Sequence, residues 1–307
     1  MGAHFFLVGH GRRWHPNLPG CNPSPERFLL WTPFSPEVPI RRYPFLPPTY
    51  ASMPTLLVIG ATSAIAHAAA RRFAADGAEV FLAARDAAKL QAVADDLDAR
   101  GATIAGTAPF DAADASGHAL LLNAAQQALG RLDFVLVAYG TLPDQKEMAR
   151  SPEAAAEAFS LNATSVIQLV THLANRMEAQ PDLGARQPGG RRGTIAVISS
   201  VAGDRGRPSN YVYGAAKGAV SLFLGGLRGR LHPAGVGVVT IKPGFVDTPM
   251  TADVPKNPLF ADPADVGQRI YKAMVKGEDV VYVPGFWRAV MAGIRAVPER
   301  AFKRLKL

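Results

Sequence analysis

The chain has 307 residues, enough for one large domain or two small ones, and 48% of them are hydrophobic, which suffices for a substantial core. Cys21 is the only cysteine, so the sequence excludes an intrachain disulfide and a cysteine-ligated metal; no metal site is predicted, and a reducing, cytoplasmic setting is expected. No apolar run approaches the roughly 18 residues that a membrane-spanning helix needs.

The formal net charge of +8 is carried by the two ends of the chain. Residues 1–52 contain five arginines and two glutamates, and residues 286–307 contain six basic residues and one glutamate. Residues 53–285 are neutral overall, with 22 basic and 22 acidic residues. A nucleic-acid-binding protein more often carries a basic face on its folded domain, so no nucleic-acid partner is expected.

Residues 1–52 contain ten of the 25 prolines and no sustained hydrophobic period. Proline at this density interrupts both helices and sheet ladders, so the segment is predicted to be poorly ordered. It also lacks the basic, apolar and small-residue layout of a secretory signal. A strand-like run follows Met53 at once, and our hypothesis is that Met53 is the true start and residues 1–52 are a mis-assigned extension.

From residue 53 onward, short apolar runs alternate with Ala-rich helical patterns. The predicted strands span residues 56–59, 79–84, 103–107, 132–138, 194–198 and 236–241. The predicted helices span residues 63–75, 86–100, 114–129 and 210–231. Strands that alternate with helices of this length predict an α/β fold, a doubly wound parallel sheet of the Rossmann type, as a single domain over residues 53–285.

The first strand leads into its helix through a turn of small residues that begins at Gly60. Such a turn lets backbone amides and a helix N-terminus approach a pyrophosphate, so Gly60, Thr62, Ser63 and Ile65 are predicted to contact a dinucleotide. Alanine stands at two later positions where glycine would be expected, so an ordinary Ala-rich helix start is the alternative.

The end of the second strand bears on the choice of dinucleotide. An NAD-binding fold usually places Asp or Glu there for the ribose hydroxyl, whereas this chain has Arg85, which could pair with a 2′-phosphate. The sequence therefore favours NADP(H), with NAD(H) as the other candidate; alternatively, Arg85 caps a surface helix together with Asp86. Asp111, after the third strand, could accept from the adenine amino group or be a helix N-cap.

Two serines end the predicted strand 194–198, and a helical segment that contains Tyr213 and Lys217 follows. The four-residue spacing puts the phenol and the ammonium on one helix face, where the cation would lower the tyrosine pKa from about 10 toward the working pH. A hydroxyl from the strand end could hold a carbonyl oxygen close to this general acid. Alone, such a pair usually marks a solvated helix face.

Taken together, these residues resemble the short-chain dehydrogenase/reductase family from residue 55 to about 250. Ser200 precedes Tyr213 by 13 residues, which is the usual interval of the family. The likeness comprises Gly60, Asp111, Val137-Ala138-Tyr139-Gly140, Asn162, Ser200, Tyr213, Lys217 and Pro243-Gly244-Phe245-Val246-Asp247-Thr248. Two departures are the alanines in the turn and the sequence Val-Ala-Tyr-Gly where most members have Asn-Asn-Ala-Gly.

The resemblance implies a role for each matching residue. Tyr213 would donate a proton to the substrate carbonyl, Ser200 would orient its oxygen, and Lys217 would lower the tyrosine pKa and hold the nicotinamide ribose. Asn162 would interrupt its helix and hold a water that links Lys217 to solvent; a solvent-facing side chain is the alternative. The remaining cofactor contacts implied are Ala138, Gly140, Pro243, Gly244, Val246 and Thr248, although Pro243-Gly244 could equally be a simple turn.

A closer likeness is to reductases of a decaprenylphosphoryl 2-keto-pentose. It rests on residues 138–142, 203–207 and 213–218 and on the tail from Gly277. It implies NAD(P)H-dependent reduction of a lipid-linked keto-sugar, a flavin oxidase as partner and, from the wider family, a homo-oligomer. The alternatives are a soluble reductase of an acyl or small carbonyl compound, and a sensor or scaffold on an inactive fold, against which the intact catalytic set argues.

Two segments near the C-terminus complete the expectations. Residues 251–263, with three prolines, are predicted to cover the substrate, with a plain connector as the alternative, and residues 181–193 are predicted to be a surface loop. Apolar and basic residues alternate at helical intervals over 286–307, a pattern that can lie in an anionic membrane interface or pack on the domain or a second subunit. The resemblance favours the membrane, hence a peripheral location on the inner membrane face, from which deletion of 286–307 would release the protein.

Overall fold

The computed structural model describes residues 53–181, 187 and 190–305. The expectations for residues 1–52, and those for much of the predicted loop 181–193, lie outside the described residues.

Within the described residues, seven parallel strands form one sheet in the order β3-β2-β1-β4-β5-β6-β7. The strands are β1 Thr55–Ile59, β2 Glu79–Ala84, β3 Thr103–Pro109, β4 Phe134–Val137, β5 Gly193–Ile198, β6 Val236–Pro243 and β7 Val280–Val283. The predicted α/β fold with a doubly wound parallel sheet is confirmed. The strand order reverses between β1 and β4, and in such sheets the ligand crevice lies outside the carboxyl ends of the strands at this point.

Helices cover both faces of the sheet. They are α1 Ala64–Ala75, α2 Ala87–Asp98, α3 Ser116–Leu129, α4 Gln145–Met148, α5 Pro152–Phe159, α6 Ser165–Ala179, α7 Tyr211–Leu231, α8 Pro263–Lys276, α9 Trp287–Ala296 and α10 Glu299–Phe302. One face packs against α1, α2 and α8, and the other against α3, α6 and α7. Because both faces are covered, β1 reads as a continuous apolar run, and all five of its residues are buried.

The last two helices pack on the domain. Trp287, Met291 and Phe302 turn inward and are at most 5% exposed. The Arg205 guanidinium donates to the carbonyl oxygens of Ile294 and Val297, both at 2.6 Å, and its Cζ lies 3.7 Å from the centroid of the Phe302 ring. The inward face of the tail therefore packs on the domain, which was one of the alternatives expected from the sequence.

Among the residues that the structure describes, no helix has both the length and the apolar character needed to cross a bilayer.

Candidate active site

A cavity of about 780 Å³ opens at the carboxyl ends of the strands. It brings together all the residues that the sequence analysis assigned to catalysis or cofactor binding. These are Gly60, Thr62, Ser63, Ile65, Arg85, Asp111, Ala138, Gly140, Asn162, Ser200, Tyr213, Lys217, Pro243, Gly244, Val246 and Thr248. They come from the ends of six strands and from three helical segments, which explains how residues far apart in the chain meet.

The turn after β1 is shaped for close approach of a ligand. Gly60 has φ +87°, and a Cβ there would lie 2.7 Å from the backbone nitrogen of Tyr139, so only glycine fits. The alanines that replace the two later glycines, Ala64 and Ala66, lie inside α1, where no positive φ is required. Their presence is therefore no obstacle, and the N-terminus of the 12-residue helix α1 fits a pyrophosphate.

The end of β2 presents two cations to the cavity. Asp86, not Arg85, caps α2 by accepting from the Lys89 amide at 3.0 Å. Arg85 is exposed, and its side chain has no hydrogen bond or ion pair with another described residue. Lys89 lines the cavity four residues further on, with its Nζ 3.3 Å from the Asp86 carboxylate. The sequence analysis missed Lys89, although its four-residue spacing from Arg85 was a signal that could have found it.

Asp111 lies at the same end of the cavity. Its carboxylate accepts from the Ala113 amide at 3.0 Å and so holds a turn. Helix α3 begins at Ser116, whose amide is bound by Asp114, so the alternative interpretation of Asp111 as the N-cap of that helix is wrong.

The central group is formed by α7 and the end of β5. The Lys217 side chain is 3% exposed, and its ammonium donates to the Ile198 carbonyl at 3.1 Å and lies 5.7 Å from the centroid of the Tyr213 ring. Ser200 follows β5 in extended conformation, accepts from the Ala202 amide at 3.1 Å and is near enough to Tyr213 to affect the pKa of the phenol. The phenol, the hydroxyl and the ammonium thus converge on one end of the cavity.

Burial has the largest effect on the pKa values of Tyr213 and Lys217. It raises the pKa of Tyr213 to about 12, against a smaller lowering by the Ser200 hydrogen bond, and it lowers the pKa of Lys217 to about 8. The pKa of Tyr213 therefore lies above the usual value of about 10, and not closer to the working pH as the sequence pattern led us to expect, because removal from water disfavours the phenolate.

Asn162 lies in a π-helical segment, Ser160–Thr164, between α5 and α6. The predicted interruption of the helix is confirmed, and the solvent-facing alternative is wrong because the residue is fully buried. Its amide oxygen accepts from the Thr141 amide at 3.0 Å, and its amide nitrogen donates to the Ala158 carbonyl at 3.0 Å. A Cβ on Gly140 would lie 2.7 Å from the Asn162 oxygen and 3.5 Å from the Lys217 nitrogen, so glycine is needed where this strand end meets both side chains.

The loop after Ser200 is fixed by a buried charge cluster. Asp204, whose side chain is 2% exposed, accepts from Lys242 at 2.5 Å and from the Tyr282 hydroxyl at 2.7 Å. The next cation, Arg205, binds the tail and forms an ion pair with Glu299 at 2.9 Å. These contacts join β6, β7 and the tail to the segment that carries the serine.

Two further residues of the cavity, Arg207 and Trp287, were not predicted from the sequence. Arg207 belongs to the loop itself, and Trp287 comes from the tail, which was treated as a separate segment. The indole packs so closely on Gly244 that a Cβ there would lie 1.9 Å from the Trp287 ring nitrogen. The predicted covering segment also contributes to the cavity, through Thr251 and Val254.

A doubly wound sheet whose crevice holds a glycine turn together with the serine–tyrosine–lysine group defines an NAD(P)-dependent oxidoreductase. Residues 54–259 match the family model described as short chain dehydrogenase. The chain belongs to this family.

Relatives agree with this assignment. An uncharacterized oxidoreductase of Mycobacterium tuberculosis is 36% identical over 253 residues, which cover 81% of this chain and 96% of that protein. Among solved structures, a 3-oxoacyl-[acyl-carrier protein] reductase from Brucella melitensis in complex with NAD has a TM-score of 0.69 at 23% identity and covers 78% of this chain and 98% of its own. A short chain dehydrogenase from Burkholderia cenocepacia in complex with NADP has a TM-score of 0.67 at 19% identity, with coverages of 84% and 99%. The two structures are similar in fold.

Proposed function

We propose that the protein reduces a ketone to a secondary alcohol with NAD(P)H and that Tyr213 is the proton donor. The observation that carries the proposal is the convergence of Tyr213, Ser200 and Lys217 at the end of the cavity opposite Arg85, with the glycine turn between them.

When bound, the dinucleotide supplies a hydride to the carbonyl carbon. Tyr213 gives its phenolic proton to the carbonyl oxygen, which takes the former π electron pair as the new alcohol forms. A pKa of about 12 keeps Tyr213 in the donating form at neutral pH. The Lys217 ammonium stabilises the phenolate left behind and, with a pKa of about 8, can return a proton to it.

The other residues position these groups. Ser200 donates to the carbonyl oxygen from the end of β5, beside the phenol. Asn162 holds the backbone of Thr141 and, with Gly140, forms the wall against which Lys217 packs.

NADP(H) is the proposed cofactor, because Arg85 and Lys89 both face the cavity at the end of β2. Arg85→Ala is expected to raise the KM for NADPH about tenfold and to leave the KM for NADH nearly unchanged, since only NADPH has a phosphate for the guanidinium. Steady-state kinetics with both cofactors measure this, with the exposed Arg150→Ala as the matched control. A wild-type preference for NADH, or equal effects on both cofactors, would contradict it.

The proposed substrate is the 2-keto group of a polyprenylphosphoryl pentose. Besides the sequence likeness, apolar side chains at the mouth of the cavity support it: Leu142 and Met250 line the cavity and are 38% and 50% exposed. A lipid chain that leaves the cavity would pass over them. The same feature suits an acyl ketone, which is the second candidate. Incubation with NADPH and each ketone, followed by mass spectrometry of the alcohol, decides between them.

The outer face of α9 is proposed to lie on an anionic membrane. Phe286 and Val290 are exposed there, and the same segment exposes Arg288 and Arg295. The double variant Phe286→Ser/Val290→Ser should lose binding to vesicles that contain phosphatidylglycerol, measured by co-sedimentation, while it keeps its fold because neither side chain is buried. This double variant is a more selective test than deletion of residues 286–307, because the deletion would also remove Trp287 from the cavity. Wild-type protein that stays in the supernatant would refute the proposal.

The homo-oligomer and the flavin oxidase partner remain predictions. A homo-oligomer would account for Leu222, which is 82% exposed on α7. The flavin oxidase that would make the ketone is implied by the sequence likeness alone.

A further inference from the structure

The substrate end of the cavity contains three buried polar atoms that have no hydrogen-bond partner among the described residues. They are the Nε of Arg207, the amide oxygen of Asn210 and the ring nitrogen of Trp287. All three residues line the cavity, from the loop after Ser200, the start of α7 and the start of α9. Buried polar groups in folded proteins are nearly always satisfied, so three unpaired atoms on residues that line one cavity favour a polar ligand there.

Arg207 is the basic residue of this loop that has no ion-pair partner among the described residues. Asp204 is already bound by Lys242 and Tyr282, and Arg205 is committed to the tail. No described carboxylate lies within ion-pair distance of Arg207. Burial lowers the pKa of its guanidinium, which shows that the site is partly shielded from water.

The distribution of charged residues in the cavity also favours an anionic ligand. Among its described lining residues, the acids are Asp86 and Asp111, at the ends of β2 and β3. The described lining residues from the end of β5 through α7 include two cations, Lys217 and Arg207, and no acid. An uncompensated, partly buried guanidinium is costly, and an oxyanion that accepts two parallel hydrogen bonds from its planar fork would offset that cost.

We propose that Arg207 binds an oxyanion, a phosphate or a carboxylate, of the ketone substrate and thereby selects anionic over neutral ketones. This rests on the proposed function and names the substrate class of the same site.

Titration of protein saturated with NADP+ tests the proposal, because the oxidised cofactor has no hydride to give and binding alone is measured. The ligands are two matched pairs: dihydroxyacetone phosphate with dihydroxyacetone, and acetoacetate with its ethyl ester. Wild type is expected to bind at least one anion about 10- to 100-fold more tightly than its neutral partner. Arg207→Gln should abolish this preference, and Arg207→Lys should keep part of it. Arg150→Gln, at an exposed arginine that does not line the cavity, is the matched control.

Equal affinities within both pairs, a preference that survives Arg207→Gln, or its loss in Arg150→Gln would overturn the proposal. Removal of an unpaired buried charge should not lower the melting temperature of Arg207→Gln, so loss of binding can be separated from unfolding. Failure to reduce any ketone with NADPH would instead count against the proposed function and leave the binding result standing.

Competition against the bound anion identifies its source. Geranyl phosphate that displaces it at lower concentration than inorganic phosphate indicates a lipid-linked phosphate, and equal potency indicates a free phosphate ester. Either result supports an oxyanion site at Arg207. If neither compound displaces the bound anion, a phosphate site at Arg207 is refuted.

Discussion

Replacement of Tyr213 by phenylalanine is expected to lower kcat for ketone reduction by about a hundred- to ten-thousand-fold, the range that a positioned general acid supplies. The change deletes one oxygen, the atom that carries the donated proton. The ring and its place on α7 are kept, so affinity for NADPH should stay within about twofold, since hydrogen bonds to the phenol are not what holds the phosphates. Stopped-flow and steady-state measurements of NADPH oxidation give kcat, and fluorescence titration gives the cofactor affinity.

Tyr211→Phe is the matched control, because Tyr211 lies two residues earlier on the same helix and is 45% exposed. It should leave kcat unchanged. Wild-type turnover in Tyr213→Phe would place the proton donor elsewhere. Loss of both turnover and NADPH binding would indicate that the phenol has a structural role in the cavity.

The fold could be predicted well because its signals are local. Strands such as β1 are buried on both faces and read as uninterrupted apolar runs, and the helices between them begin and end at recognisable residues. No bounds were predicted for β7, which is only four residues long, or for α5, α6 and α8.

The candidate site also contains residues that could be predicted from the sequence and residues that could not. Residues at strand ends and on α7 were predictable because chain order and spacing determine where they lie in a doubly wound sheet. Arg207 and Trp287 were not, since their position depends on the tail folding back over the loop after Ser200 through Arg205. The direction of the Tyr213 pKa shift was missed for a related reason: burial is a property of the whole fold, whereas a four-residue spacing reports only one neighbour.

Replacement of Lys217 by methionine is expected to separate stability from activity. Activity should fall at least about a hundredfold, because the phenolate of Tyr213 loses its stabilising cation. The free energy of unfolding at pH 7 should rise by about 2 kcal/mol. Burial lowers the Lys217 pKa from 10.5 to about 8, a destabilisation of about 3 kcal/mol, of which the lost hydrogen bond to the Ile198 carbonyl takes back about 1 kcal/mol.

The pH dependence of stability identifies the cause. Between about pH 8 and pH 10 the unfolded chain keeps a proton on Lys217 that the folded protein has released, so the free energy of unfolding of the wild type should rise with pH in this window. Above about pH 10 the sign reverses, because Tyr213 and Tyr282, whose pKa values burial raises to about 12, stay neutral in the fold while unfolded tyrosines ionise. Urea unfolding of cofactor-free protein at a series of pH values measures both slopes. Lys217→Met should lose the rise between pH 8 and pH 10 and keep the fall above it, whereas a rise of the same size in both proteins would mean that Lys217 is not the group that titrates.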